Sequence, residues 1–306
     1  MPKYGWRPDL PDIRDYPFKI SKKVDLPISW DLRWDCSEVE NQADIGSCTG
    51  NAAAGTLEYK DKRSDGKCNE VSRLFIYYNA REYIDAIEED SGAYIRDVIK
   101  GLAKYGACDE EFFPYDTKKF AVKPTKKAYE DALKRKIYSY YRIGNFRVES
   151  VKQAVYSCNP VIFGFTVYSG FESAEVAKTG KMWLPKPGER KIGGHAVLIV
   201  GFDDNNQWFI VRNSWGPEWG DGGYFYMPYA YVANANLSDD FWVITDEQEF
   251  TNKNGWYVSP DMEIQSDWFI PITTIIKTVW GAIKWWEKFP KPKGKSPKNK
   301  EVSNGY

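Results

Sequence analysis

The chain has 306 residues, 42% of them hydrophobic and 28% charged, with a formal net charge of -1. That length supports one large or two medium domains with substantial cores, and the apolar share excludes a chain disordered as a whole. The near-zero net charge gives no global field for nucleic acid or an anionic surface, and five cysteines without a C-x-x-C pair, beside a single histidine, argue against a structural zinc site.

In chain order, residues 1–30 form an arm in which Pro8, Pro11, Pro17 and Pro27 prevent a regular helix, so the arm must lie on something to be ordered. It contains no apolar run of signal-peptide length, and the thiols are expected to be free in a reducing compartment. Asn41-Gln42-Ala43-Asp44-Ile45-Gly46-Ser47-Cys48 then leads into the small-residue stretch Thr49 to Ala54, which reads as the first turns of a helix. A helix N-terminus carries unpaired N–H groups and a positive dipole end, so a cysteine there is expected to ionise more easily. A charged loop is predicted over 60–69, followed by helices over 72–86 and 94–105, with Ser91-Gly92 as loop and cap and Gly106 as a stop. Residues 118–136 read as basic surface.

Beyond them the pattern shifts to strands over 161–167, 196–202, 207–213, 224–227 and 241–244, with a hairpin turn at 203–206. This predicts an α+β protein with helices and strands segregated: an arm over 1–30, a helical lobe over 31–135, a β-rich lobe over 136–250 and an extension over 251–306. Residues 272–289 form an amphipathic helix, and the Lys/Pro-rich tail that follows is expected to be disordered.

The chemistry-bearing residues are few. His195 is the only histidine, so any Cys/His relay must use it. It stands in Gly193-Gly194-His195-Ala196 at a strand edge, where glycines admit a ligand or another backbone. If its strand pairs with the next as a hairpin, Asn213 reaches the ring, fixes its tautomer and leaves the other nitrogen for Cys48. Gln42 adds a side-chain N–H beside the Cys48 backbone N–H, a pair suited to a tetrahedral oxyanion.

Gln42 and Cys48 in the Gly-Ser-Cys context, Gly194-His195-Ala196, and Asn213-Ser214-Trp215-Gly216 followed by Trp219-Gly220-Asp221-Gly222-Gly223-Tyr224 together resemble the papain-like cysteine peptidases over residues 26–245. The resemblance implies a two-lobed fold, a helical lobe and an antiparallel β-barrel-like lobe, with the active-site cleft between them. It implies Cys48 as nucleophile, His195 as acid and base, Asn213 as orienting group, Gln42 as oxyanion donor and Trp215 as a shield over the His–Asn bond. Gly92, Gly194 and Trp215 are the expected substrate contacts, the floor of the preference pocket is expected near 233–237, and Trp219 reads as a core aromatic.

The chain departs from the family at Thr49, where an aromatic residue is usual, and at Ile45, where a half-cystine is usual, and residues 89–92 lack its partner cysteine. Those departures, and the few residues before Leu26 where a long helical prodomain is usual, resemble the bacterial and viral branch. The expected protein is a cysteine endopeptidase without cofactor or metal, acting on a protein or peptide, with no nucleic-acid partner, monomeric, and cytoplasmic or carried in a virion. The C-terminal helix is expected to dock on its own protein or on a membrane surface, and the arm to be a short pro-segment. Two alternatives stand beside this: a catalytically silent structural or peptide-binding domain, and an acyl transferase or deamidase on the same relay.

Overall fold

The apolar runs of the second half assemble into one antiparallel sheet. The computed structural model describes residues 3–19, 24–144 and 147–246, all within one compact unit, Met1–Ser259. Its elements are β1 (Trp6–Arg7), β2 (Ser29–Asp31), α1 (Cys48–Asp65), α2 (Arg73–Glu82), β3 (Ala93–Tyr94), α3 (Ile95–Tyr105), α4 (Lys126–Ala132), β4 (Ser139–Ile143) and α5 (Arg147–Tyr156). They continue as β5 (Val161–Tyr168), α6 (Ala174–Thr179), β6 (Lys191–Asp203), β7 (Trp208–Arg212), β8 (Tyr224–Pro228), α7 (Tyr229–Ala233) and β9 (Ser238–Asp246).

The seven-stranded sheet runs β4-β9-β5-β6-β7-β8, with β2 added on β6. β5 and β6 are buried along most of their length, with α1 and α5 packed against β6, which suits their apolar runs. The hairpin predicted at 203–206 is present, with Phe202 opposite Phe209 and Leu198 opposite Arg212. A separate pair, β1 with β3, is parallel and ties the arm to the start of α3.

Several helix bounds differ from the sequence reading for local reasons. α1 continues through the charged residues 60–65 and stops at Gly66, whose φ of 76° closes the helix, with Lys62 and Arg63 in the last turn where cations suit the dipole. α2 ends at Glu82 instead of 86, because the buried Arg81 guanidinium takes the carbonyls of Ile87 and Glu89 at 2.6 and 2.8 Å and holds the following chain in turns. α3 is capped by Tyr94, and Ser91-Gly92 is loop only. The short strands β2 and β4 and the helix α5 were not predicted. The amphipathic stretch 272–289 and the Lys/Pro tail lie outside the described residues, and among those described no helix is long and apolar enough to cross a membrane.

Candidate active site

Cys48 is the first residue of α1, a helix whose opening turns, Cys48 to Tyr59, are buried on every side. Its small residues are what allow so central a helix to sit between the sheet and α2. The Ser47 hydroxyl lies 2.5 Å from the Tyr115 hydroxyl, which also donates to the Gln42 carbonyl at 2.8 Å. These bonds fix the loop that carries both residues.

From the sheet side, β6 delivers His195 and the end of β7 delivers Asn213. His195 Nε2 is 2.8 Å from Asn213 Oδ1, which also accepts from the Ser214 N–H at 2.8 Å. Nδ1 is buried and has no hydrogen-bond partner among the described residues, so Asn213 leaves that nitrogen free. The Ala196 N–H donates to Cys48 Sγ at 3.4 Å, placing the backbone just after His195 against the thiol. Trp215 stacks on the imidazole with centroids 5.2 Å apart and planes 21° apart, and Trp219 meets Trp215 edge-on at 5.0 Å.

Gln42 is fully buried. Its Oε1 accepts from Ser214 Oγ at 2.6 Å and its backbone N–H donates to the Ser214 carbonyl at 2.8 Å, so the amide is oriented from the opposite lobe. Ser214 is a supporting residue the sequence reading did not single out. Its signal was its place between Asn213 and Trp215, but the contact to Gln42 exists only once the two lobes meet.

The arm lies across these residues. Gln42 Nε2 donates to the Lys3 carbonyl at 2.9 Å, and the Ala93 N–H donates to the Gly5 carbonyl at 2.8 Å. The Tyr4 ring meets His195 at 5.9 Å and Trp215 at 6.1 Å, both edge-on, and its hydroxyl donates to Glu172. Each of the three expected substrate contacts touches the arm. A Cβ at Gly92 would stand 2.1 Å from the Gly5 carbonyl oxygen, one at Gly194 would stand 2.7 Å from the Trp6 carbonyl oxygen, and Trp215 carries Tyr4. At Gly92, with φ of 72°, both the close approach and the conformation require glycine.

Burial sets the electrostatics. Cys48 and His195 have no exposed surface. Desolvation pushes the Cys48 thiol up to about 11, against the N–H groups of Ala196, Gly5 and Thr49, and pushes His195 down to about 4, against its bond to Asn213. The helix N-terminus was expected to make this thiol acidic. Burial opposes it, and desolvation favours the neutral thiol and the neutral imidazole.

All five cysteines are free thiols, and among the described residues no His/Cys/Asp/Glu group is arranged to hold a metal ion. Where the family carries its disulfide, a carboxylate joins the two segments. Asp90 accepts from the Gly46 N–H at 2.9 Å and the Tyr77 hydroxyl at 2.6 Å, and pairs with Lys3 at 2.6 Å.

Residues 26–242 match the model of the family described as papain family cysteine protease. The chain is 46% identical over 244 residues to an uncharacterized peptidase C1-like protein of Acanthamoeba polyphaga mimivirus, covering 77% of this chain and 76% of that one. It is 27% identical over 226 residues to a cathepsin B-like protein of Giardia intestinalis, covering 68% of this chain and 71% of the other. Among solved structures it is similar to xylellain, a cysteine protease from Xylella fastidiosa, with a TM-score of 0.72 and 39% identity over 79% of this chain and 95% of that one.

Proposed function

The chain belongs to the papain family of cysteine proteases, and from that premise we propose that it is an endopeptidase whose nucleophile is Cys48 and whose cleft is closed at rest by residues 3–9. With the arm displaced, water and substrate return to the site and the burial that holds the thiol protonated is relieved. The Cys48 proton passes to His195 Nδ1, the nitrogen Asn213 leaves free, and the sulfur attacks a peptide carbonyl. The oxyanion takes the Gln42 amide, where the Lys3 carbonyl now sits, and the Cys48 backbone N–H. His195 returns the proton to the leaving amine, giving an acyl thioester. Water then adds with His195 as base, the C–S bond breaks, and the acid product leaves with the thiol restored.

The observation that supports this reading is that Gln42 bonds the Lys3 carbonyl and His195 carries the Tyr4 ring, while Asn213 and the backbone after His195 tie the imidazole and the Cys48 sulfur into the same site. Full burial of the pair favours a competing reading, a silent domain that keeps its arm docked permanently.

Mass spectrometry of a peptide library incubated with the full chain separates these. New internal cleavages that vanish in Cys48→Ala and in His195→Ala are the expected result. Hydrolysis surviving His195→Ala contradicts the assignment, since no other histidine can substitute. Products carrying an added acceptor amine in place of water would mark a transferase.

A further inference from the structure

Only one half of the Asn213 amide is engaged. Oδ1 faces His195 Nε2 and the Ser214 N–H, each at 2.8 Å. Nδ2 has no hydrogen-bond partner among the described residues, although Asn213 is only 3% exposed. A buried amide nitrogen with nothing to donate to is costly. The cost falls on the orientation that His195 needs, because an amide turned over would present N–H groups to the ring in place of an oxygen.

Asn213 lines a cavity of about 10 Å³ between the lobes. That is close to the space one water needs. Ala52 of α1 and residues 196–198 of β6 make part of its wall, and the polar groups around the rest are mostly taken. The Asn51 amide nitrogen donates to Ser47, the Arg212 guanidinium donates to the Ser37 and Glu38 carbonyls, and Ser214 Oγ donates to Gln42. Glu40 also lines the cavity, and its carboxyl has acceptor capacity beyond its one ion pair.

Glu40 is held to the chain that follows Asn213. Its carbonyl accepts from the Gly216 N–H at 3.0 Å, and Asn41 pairs with Trp215. Its carboxyl meets Arg73 Nε at 2.9 Å, and that guanidinium lies 3.9 Å over the Tyr115 ring. Burial first and the Glu58 charge next push the Glu40 carboxyl up to about 8, with Glu110 adding to them and Arg73 and Arg212 opposing. Ionised or neutral, the group keeps an oxygen that accepts a hydrogen bond.

We propose that Glu40 is a positioning residue of the relay: one water in this cavity accepts from Asn213 Nδ2 and donates to the Glu40 carboxyl, which holds Oδ1 on His195. The water supplies the partner that Nδ2 lacks within the protein, and the Arg73 pair keeps the carboxyl at the cavity. Asn213 is thus fixed from both ends of its amide. The inference rests on the Cys48–His195 relay of the proposed endopeptidase.

Kinetics are measured in the full chain carrying Trp6→Ala, which removes the arm's bond to Asp240 and loosens the arm. Glu40→Leu is expected to lower kcat roughly 2- to 10-fold, the worth of one hydrogen bond, with KM unchanged. Glu40→Gln breaks the same ion pair with Arg73 but keeps an acceptor oxygen, so it is expected to retain the parent kcat. In an Asn213→Ala background the effect of Glu40→Leu is expected to vanish, since the two residues act as one unit. Ala52→Val, which narrows the cavity and leaves Glu40 in place, is expected to give the same loss and serves if Glu40→Leu does not fold.

His195 is the only histidine, so NMR of its ring nitrogens reads the coupling without chemistry. The form protonated at Nε2 is expected to dominate in Glu40→Gln and to give way to a mixture in Glu40→Leu. That NMR result without hydrolysis by any of the chains contradicts the endopeptidase reading and keeps the positioning role. Equal losses in Glu40→Leu and Glu40→Gln, no loss in Glu40→Leu, or a loss that persists in Asn213→Ala overturns the proposal.

Discussion

At the scale of single residues, Gln42 and Asp9 do opposite work. Gln42 is held by Ser214 so that its amide N–H points where the Lys3 carbonyl lies. Gln42→Ala is expected to lower kcat by about 10²- to 10³-fold once the arm is displaced, as for removal of one oxyanion donor, and Ser214→Ala by less, because it loosens the amide without deleting it. Steady-state kinetics of both variants in the Trp6→Ala chain measure this.

Asp9 is buried by the arm against Asp240, with the Arg96 N–H, Trp242 and the Arg96 charge facing it, and Asp15 and Arg142 beyond. Burial first and the Asp240 charge second push its carboxyl up to about 7. A released arm titrates near the ordinary value of about 3.9. The docked arm therefore holds a proton that the free arm gives up. That contribution is complete below about pH 4, falls as pH rises, and is gone above about 7, at up to about 1.4 kcal/mol per pH unit. Arm release is expected to become easier from pH 5 to 7 and then level off, and Asp9→Asn is expected to flatten the dependence. The ratio of Cys48 labelling rates in wild type and Trp6→Ala at each pH removes the intrinsic pH dependence of the thiol. A ratio constant with pH in the wild-type arm would contradict the assignment.

At the scale of elements, the nucleophile loop and the 89–92 loop are held together by one carboxylate. Asp90→Ala leaves the Gly46 N–H and the Tyr77 hydroxyl without their acceptor and frees Lys3. It is expected to cost about 1–3 kcal/mol of stability, read as a lower urea midpoint at unchanged slope. The elements that local chemistry announces were legible in the sequence: the Gly-Ser-Cys helix start, the apolar strands β5, β6 and β7, and the turn that brings Asn213 beside His195. What tertiary pairing imposes was not. β2 exists because it lies along β6, and β4 because it lies along β9. α1 outran its predicted end because charged residues in its last turns suit a helix C-terminus as well as a loop. Asp240 reads as one more polar residue before an apolar strand, and the slip in the pairing of β5 with β9 that turns it inward has no mark in the sequence. The resemblance supplied the roles of Cys48, His195, Asn213 and Gln42, but not the partners that orient them across the lobes.

At the scale of the whole molecule, the arm reaches both lobes. Lys3 pairs with Asp90 and β1 pairs with β3 on the helical side, while Tyr4 packs on His195 and Trp6 reaches Asp240 on the sheet side. In the proposed reading, blocking the cleft and keeping the thiol protonated are one act of burial. We propose that the arm, and not the chemistry of the pair, holds Cys48 silent at rest. The most direct test is the rate at which iodoacetamide alkylates each cysteine, resolved by peptide mass spectrometry, with the exposed Cys68 as internal reference. Cys48 in the wild-type chain is expected to react roughly 10- to 100-fold more slowly than in Trp6→Ala, the cost of losing the buried bond to Asp240, with Cys68 unchanged between the two. Equal Cys48 rates in the two chains would show that the arm does not silence the thiol.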